Sequence, residues 1–388
     1  MTNQAKEGFH QDTMGEWFRE LPSHLQIRIP IALFRKGKTE PEWFDYNHRY
    51  FDGVGALIHI LEQDGFTRVG SGAMSKIVDP KGVRRWMSLL RFFLHSFRKG
   101  RLYKASPWKQ VDNSKLDAQH SCGIAWCRFP HRISHAFEVH ARQHSASLNS
   151  FLLHSLNNSI PANRLHSPQR PNHWRVPVNL RGKLHLPSPY SNHSTWLDAC
   201  LPAKSSLHDT HSIVKKEIKT GMPWLHYQLA TYLVNKNIDI DIENEPHHCG
   251  AMSNLGNWPD PSLVQFHADE PCDIEGILFV PPMHKGSLLS AGIVTFNGQL
   301  HLALQTHPAL ANTQPQVEAF LRGWVEEMAG QAGQSAASLD IGFTPRTVLN
   351  NAQKCEQLPE ANAHVPQSKP SQVNEPVLEP AESPASFR

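Results

Sequence analysis

Residues 47–53 read Asn47-His48-Arg49-Tyr50-Phe51-Asp52-Gly53, and they carry the clearest signal of the fold in this chain. The residues before it, Glu42 to Tyr46, have the pattern of a short strand. After it, from Val54 to Leu61, apolar residues recur at helical spacing. The stretch is therefore predicted to be a loop that joins a strand to a helix. A histidine on such a loop is well suited to proton transfer, because its unperturbed pKa lies near neutrality.

His48 is the candidate general base on this loop. Transfer of an acyl group from a thioester to a hydroxyl or an amine needs a group that removes the acceptor's proton as the acceptor attacks the carbonyl. The imidazole must also be held in one tautomer and one orientation. Asp52, four positions later, can fix the surrounding backbone, and Gly53 permits a tight turn into the helix.

These residues resemble the H-H-x-x-x-D-G motif of the chloramphenicol-acetyltransferase-like acyltransferases. That family includes nonribosomal peptide condensation domains, alcohol acetyltransferases and bacterial wax ester synthases. Asn47 replaces the first histidine of the motif, and His48 matches the second, catalytic one. The resemblance implies that His48 is the base and that Asp52 is structural, paired with an arginine. It also implies an α/β fold of two lobes with the active site in a channel between them.

Two later segments extend the resemblance over roughly residues 25–330. Residues 176–181, VPVNLR, resemble the strand that carries the family's structural arginine, which makes Arg181 the candidate partner of Asp52. Residues 252–257, MSNLGN, resemble the S-N-L-G turn of the alcohol acetyltransferase branch. This turn and the lack of a D-F-G-W-G segment favour ester formation on an alcohol over peptide condensation.

The role of the S-N-L-G segment is open between two alternatives. Asn254 could orient substrate or polarise the thioester oxygen beside the channel. Alternatively, Asn254 and Gly256 serve only to form the turn, since both residue types favour turn conformations.

The rest of the chain is organised around these motifs. We expect an N-terminal extension over 1–24, an abbreviated N-terminal lobe over 25–165, a C-terminal lobe over 172–330 and a disordered, proline-rich tail over 350–388. The apolar patterns predict strands at 25–34, 42–46, 174–181, 275–280, 288–296 and 299–305, with Asn297-Gly298 as a hairpin turn between the last two. They predict helices within 54–61, 131–160, 207–236 and 314–328, the last being the final ordered element. Pro30 predicts that the first strand is an edge strand or is interrupted.

Composition excludes several classes of function. Lys and Arg number 38 against 35 Asp and Glu, which gives no general case for nucleic-acid binding. Six scattered cysteines are not a disulfide framework and indicate reduced thiols. With a polar N-terminus and no run of about 18 apolar residues, we expect neither export nor a membrane span, and a cytoplasmic location.

We also expect no bound metal or cofactor. The pairs His131/His135 and His140/His144 have i, i+4 spacing, but no zinc template such as H-E-x-x-H is present. A G-x-S-x-G nucleophile segment is missing as well. The expected partners are an acyl-CoA or acyl-carrier-protein thioester as donor and an alcohol, less favourably an amine, as acceptor.

Residues 81–104, KGVRRWMSLLRFFLHSFRKGRLYK, contain eight Lys or Arg residues and no acidic residue. A basic amphipathic helix of this kind can lie on an anionic membrane surface, which would make the protein peripheral to a membrane. The alternative is that the helix packs its apolar side against the protein. A catalytically inactive family member that acts as a membrane-surface interaction module is therefore the competing function.

Overall fold

The structure is a computed structural model, and it describes residues 27–70, 77–102, 108, 121–161, 164, 171–184, 188–236, 249–266, 272–283, 287–336, 339 and 341–356. The predicted extension over 1–24 and the predicted tail beyond residue 356 lie outside the described residues. So do residues 162–163 and 165–170, near the boundary of the two predicted lobes. Within the described helices, the side chains of residues 84 and 95–102 are also outside the description.

The described residues form thirteen strands and eight helices. The strands are β1 (Arg28–Arg35), β2 (Glu42–Asn47), β3 (Phe66–Arg68), β4 (Gly123–Arg128), β5 (Asn172–Asn179), β6 (Ser194–Leu201), β7 (Gly250–Trp258), β8 (Val264–Phe266), β9 (Ile274–Phe279), β10 (Leu289–Phe296), β11 (Gln299–Thr306), β12 (Ile341–Pro345) and β13 (Gln353–Cys355). The helices are α1 (Gly53–Gln63), α2 (Gly82–Leu102), α3 (His131–Gln143), α4 (Leu148–Ser159), α5 (Leu207–Lys219), α6 (Met222–Asn235), α7 (Gln314–Gln331) and α8 (Arg346–Asn350). None of these helices is long and apolar enough to cross a membrane.

Two larger sheets and one strand pair organise this mixed α/β fold. A four-stranded sheet has the order β13-β2-β1-β9, and a seven-stranded sheet has the order β12-β4-β11-β10-β7-β5-β6. Strands β3 and β8 form the separate pair. Both larger sheets combine strands from the sequence ranges 25–165 and 172–330. Long-range pairing therefore joins the two predicted lobes through the backbone.

The predicted hairpin at Asn297-Gly298 is confirmed. Phe296 pairs with Gln299, so these two residues alone form the turn between β10 and β11. Their φ angles are 46° and 76°, the left-handed backbone that a tight hairpin of this type requires.

Of the two alternatives predicted from Pro30, an edge strand or an interrupted strand, the first is wrong. β1 lies between β2 and β9. The ladder to β9 begins only at Ile31, which pairs with Phe279, so the amide that proline lacks falls outside that ladder. The Pro30 carbonyl still accepts a hydrogen bond from Val280 N at 3.1 Å.

The prediction that the helix near 314–328 is the last ordered element is also wrong. After α7 the chain forms β12, α8 and β13. β12 pairs with β4 in the large sheet, and β13 pairs with β2 in the small one. The predicted start of the tail at residue 350 thus falls inside a segment that adds an edge strand to each sheet. These strands of five and three residues are too short to produce a clear hydrophobic pattern.

The two larger sheets pack directly on each other. Phe34 and Trp43 of the small sheet share a buried cluster with Trp126 of the large sheet. Near this interface β9 approaches β10 so closely that a Cβ atom on Gly292 would overlap the backbone carbonyl of Phe279. Gly292 therefore sets the separation of the two sheets.

We predict that Gly292→Ala destabilises the protein by about 2–3 kcal/mol, because the added methyl group meets backbone that cannot rotate away. Urea unfolding followed by circular dichroism measures this change. The control is Gly330→Ala in α7, where no atom lies within 4 Å of the added Cβ atom. There, stability should stay the same or rise slightly. Equal stability of the two variants would contradict the packing argument.

Candidate active site

The loop that carries His48 starts where β2 ends, at Asn47. His48 N donates to the carbonyl of Ile27 at 2.9 Å, and the amides of Tyr50 and Phe51 donate back to the Asn47 carbonyl at 3.0 and 3.2 Å. The chain then enters α1 at Gly53, as the predicted strand-loop-helix order requires. The backbone at His48 is thus hydrogen-bonded on both sides of the histidine.

The His48 ring is held by the same loop. Its Nδ1 lies 2.6 Å from the Phe51 carbonyl oxygen. Because a carbonyl can only accept, Nδ1 must carry the proton, which makes Nε2 the basic nitrogen of the neutral ring. Burial lowers the pKa of His48 below its ordinary value, although the Phe51 carbonyl and Asp52 favour the charged form. The neutral ring therefore predominates near neutral pH.

Asp52 and Arg181 form the ion pair that the sequence predicted. Two guanidinium nitrogens of Arg181 donate to the two carboxylate oxygens of Asp52, both at 2.7 Å. The side chains are only 4% and 2% exposed, so this is a buried, bidentate pair. Arg181 also donates to the carbonyl of Pro189 at 3.0 Å. The guanidinium therefore ties the His48 loop to the segment that follows β5.

Asp52 has a second task at the start of α1. Its carboxylate accepts from Gly55 N at 2.6 Å, as the N-cap of the helix, and from His193 N at 3.0 Å. Burial alone would raise the pKa of Asp52, but Arg181 and these backbone amides outweigh it and hold the pKa below its usual value. The Asp52 carboxylate thus accepts hydrogen bonds from four donors.

Gly53 is required for a different reason from the tight turn predicted from the sequence. Its φ is not in the left-handed region. A Cβ atom at this position would instead lie 2.8 Å from the Phe279 ring and 2.9 Å from Leu255 Cδ2. Gly53 therefore lets β9 and the S-N-L-G segment pack directly against the loop.

The S-N-L-G segment forms a local irregularity inside a strand. Residues 253–256 lie within β7, where the pairing with β10 shifts register between Ile293 and Thr295. Gly256 has φ +86°, and its amide donates to Asn254 Oδ1 at 2.8 Å. Asn254 thus shapes a bulge that presents Leu255 to Gly53. A role for Asn254 or Gly256 in orienting substrate stays a prediction.

Sequence reasoning missed the residue that engages Asn47. The Asn47 side-chain amide donates to Glu356 at 3.1 Å, and its oxygen accepts from Arg49 N at 3.0 Å. Glu356 follows β13 and also receives two hydrogen bonds from Arg28, at 2.8 and 2.9 Å. Asn47, which stands where the resembled motif has its first histidine, therefore anchors the segment of β13 and Glu356 to the His48 loop. Only the pairing of β13 with β2 brings these positions together.

Metal ligation finds no support elsewhere in the described chain. No group of three or more His, Cys, Asp or Glu side chains among the described residues is arranged to hold a metal ion. His140 and His144 lie with their ring centroids 4.3 Å apart, and His144 Nδ1 lies 2.9 Å from the His140 carbonyl. The i, i+4 spacing at this pair is therefore explained by local contacts at the end of α3.

We predict that Arg181→Ala destabilises the protein by about 3–5 kcal/mol, because it leaves the buried Asp52 carboxylate without its counter-ion. Urea unfolding again provides the measurement. The control is Arg142→Ala, which removes an exposed pair with Glu138 at 3.7 Å and should cost at most about 0.5 kcal/mol. If Arg181→Ala lowered the free energy of unfolding as little as Arg142→Ala does, the pair of Asp52 and Arg181 would not hold the loop.

No protein-family model and no curated protein sequence matches the chain. Among solved structures, the trichothecene 15-O-acetyltransferase TRI3 from Fusarium sporotrichioides is similar with a TM-score of 0.51 and 12% identity, over 80% of this chain and 70% of that one. The epimerization domain from the third module of tyrocidine synthetase B is similar with a TM-score of 0.44 and 11% identity, over 74% of this chain and 67% of that one. A condensation domain of the enacyloxin polyketide synthase is similar with a TM-score of 0.43 and 14% identity, over 75% of this chain and 58% of that one.

The acetyltransferase match covers the greater part of both chains, and at 12% identity it establishes the fold. That fold arranges a mixed α/β chain around several sheets, as the described strands and helices do here. The chain therefore shares its mixed α/β fold with that acetyltransferase.

Proposed function

We propose that the protein is an acyltransferase that moves an acyl group from a CoA or carrier-protein thioester to a hydroxyl acceptor, with His48 as general base. The observation that carries the proposal is the contact of His48 Nδ1 with the Phe51 carbonyl at 2.6 Å. It supports a neutral imidazole whose Nε2 can accept a proton. An amine is the less favoured acceptor, because the S-N-L-G segment resembles the alcohol acetyltransferase branch.

The reaction needs one base and no covalent intermediate on the protein. Nε2 of His48 takes the proton from the acceptor hydroxyl as its oxygen attacks the thioester carbonyl. The C–S bond then breaks, and the imidazolium returns the proton to the leaving thiolate. The products are an ester and a free thiol, so protons and electrons balance without a further reactant.

Asp52, Gly53 and Arg181 support this reaction as positioning residues. Asp52 and Arg181 hold the loop at its C-terminal end, and Gly53 permits the close packing that keeps the loop against β9. Asn254 and Gly256 are linked to this loop through Leu255, because the bulge that they form places Leu255 next to Gly53. We infer that Asn254 contributes to substrate orientation through the amide nitrogen of its side chain, because its oxygen is already engaged by Gly256 N.

Thiol release tests the proposal. We expect purified protein, mixed with a panel of acyl-CoA thioesters and alcohols, to release free thiol, and we expect His48→Ala to lower the rate at least about 100-fold. The control is His208→Ala, which removes a histidine whose side chain is 81% exposed, and it should keep the native rate. Equal release by the native protein and His48→Ala would overturn the role of His48.

The competing function, an inactive family member that binds a membrane surface, makes the opposite prediction for the same assay. It predicts no thiol release above background from any donor, including an acyl-carrier-protein thioester, while membrane binding is retained. The basic amphipathic segment at residues 81–104 is the feature that motivates this alternative.

The pH dependence of the rate provides a second test. A general base works only when neutral, so kcat/KM should rise with pH through the pKa of His48 and then level off. Because burial lowers that pKa below 6.5, the midpoint of the acidic limb should lie below pH 6.5. A pH–rate profile over pH 4.5–8.5 measures it. A midpoint above 6.5 would contradict a buried neutral base at this position.

A further inference from the structure

Helix α2 presents an apolar face to solvent. Six of its large apolar side chains are 56% to 76% exposed: Val83, Trp86, Met87, Leu90, Phe93 and Leu94. At 3.6 residues per turn, these positions fall within an arc of about 120° on the helix surface. The exposed residues therefore form one continuous stripe, which we call the α2 stripe.

The opposite side of α2 packs against the protein. Phe92 is buried in a cluster with Met222 and Leu225 of α6. Ser88 Oγ donates to the Thr220 carbonyl at 2.9 Å, so the helix is hydrogen-bonded at the junction of α5 and α6. The orientation of α2 is thus fixed by packing, and the exposure of its stripe is a consequence of that packing. The predicted alternative, an apolar side covered by the protein, holds for Leu89 and Phe92 but not for the six residues of the α2 stripe.

The segment that carries the α2 stripe is basic. Residues 81–104 contain eight Lys or Arg residues and no acid. The carboxylate that meets the helix from the neighbouring α5, Glu217, is buried and accepts from Arg91 at 2.7 Å. At 3.6 residues per turn, positions 84 and 91 border the stripe, whereas Arg85 is exposed on the side of Phe92 and approaches Gln228 of α6 at 3.5 Å. An apolar stripe bordered by cations matches the interface of an anionic bilayer, where acyl chains meet phosphate groups.

We propose that the α2 stripe docks the protein on the surface of membranes that contain anionic phospholipids. The six apolar side chains enter the boundary between headgroups and acyl chains, and the basic residues of the segment contact lipid phosphates. Trp86 is suited to this position, because an indole ring combines an apolar body with a polar N–H. The proposal does not depend on the acyl-transfer proposal and holds for an active or an inactive protein.

Vesicle sedimentation tests the proposal with the full chain. The native protein should sediment with vesicles of phosphatidylcholine and phosphatidylserine, less with phosphatidylcholine alone, and less as salt is raised. The double variant Leu90→Ser/Phe93→Ser should lower the bound-to-free ratio at least about tenfold, because both side chains lie in the stripe. The control, Tyr232→Ser, removes a 56%-exposed aromatic side chain from α6 and should bind as the native protein does.

Three results would overturn the proposal. The first is an absence of binding by the native protein, and the second is equal binding by the native protein and the double variant. The third is self-association of the native protein that the double variant abolishes, without vesicle binding, since the stripe would then contact a second copy of the chain. Sedimentation velocity without vesicles detects this case.

Tryptophan fluorescence gives a measurement that does not require the double variant to fold. Lipids brominated near the headgroup should quench the emission that is lost in Trp86→Phe, because the indole of Trp86 would lie within the bilayer interface. Native and Trp86→Phe proteins that are quenched equally would contradict insertion of the stripe.

Discussion

The buried ion pair between Asp52 and Arg181 is the interaction on which the rest of the site depends. It joins the loop after β2 to the segment after β5, two regions separated by more than 120 positions in the chain. Taking both charges out of water is unfavourable unless the geometry is good, and here both oxygens of the carboxylate are engaged by the guanidinium and by backbone amides. The pair thus favours one arrangement of the loop over alternatives in which either charge is unpaired.

The orientation of His48 follows from that arrangement. Asp52 caps α1 and ends the loop, and Phe51, the residue before it, supplies the carbonyl that fixes the imidazole. On the other side of the loop, Asn47 is held by Glu356. The histidine is thus flanked by two anchors from distant parts of the chain. This arrangement limits the rotation of the ring and supports proton transfer from a single nitrogen.

The sequence predicted the elements that have strong local signals. The His48 loop, the Asp52–Arg181 pair and the Asn297-Gly298 hairpin all rest on short patterns whose physical basis lies within a few residues or in a known motif. It did not predict the place of Pro30 inside a sheet, because strand order is set by partners far away in the chain. For the same reason, the sequence did not predict the pairing of β13 with β2. The contact of Glu356 with Asn47 depends on that pairing and was not predicted either. For α2, the amphipathic pattern was visible, but only tertiary packing on α6 decides that the apolar stripe faces outward.

The most direct test of this account is the protonation state of the His48 ring. Nitrogen-15 NMR of histidine-labelled protein at pH 7, with the His48 signals assigned by their loss in His48→Ala, reports each ring nitrogen separately. The account predicts a neutral ring with a protonated Nδ1 and an unprotonated Nε2, as the contact with the Phe51 carbonyl requires. A ring that is protonated on Nε2, or charged on both nitrogens, would contradict the assignment of His48 as a general base.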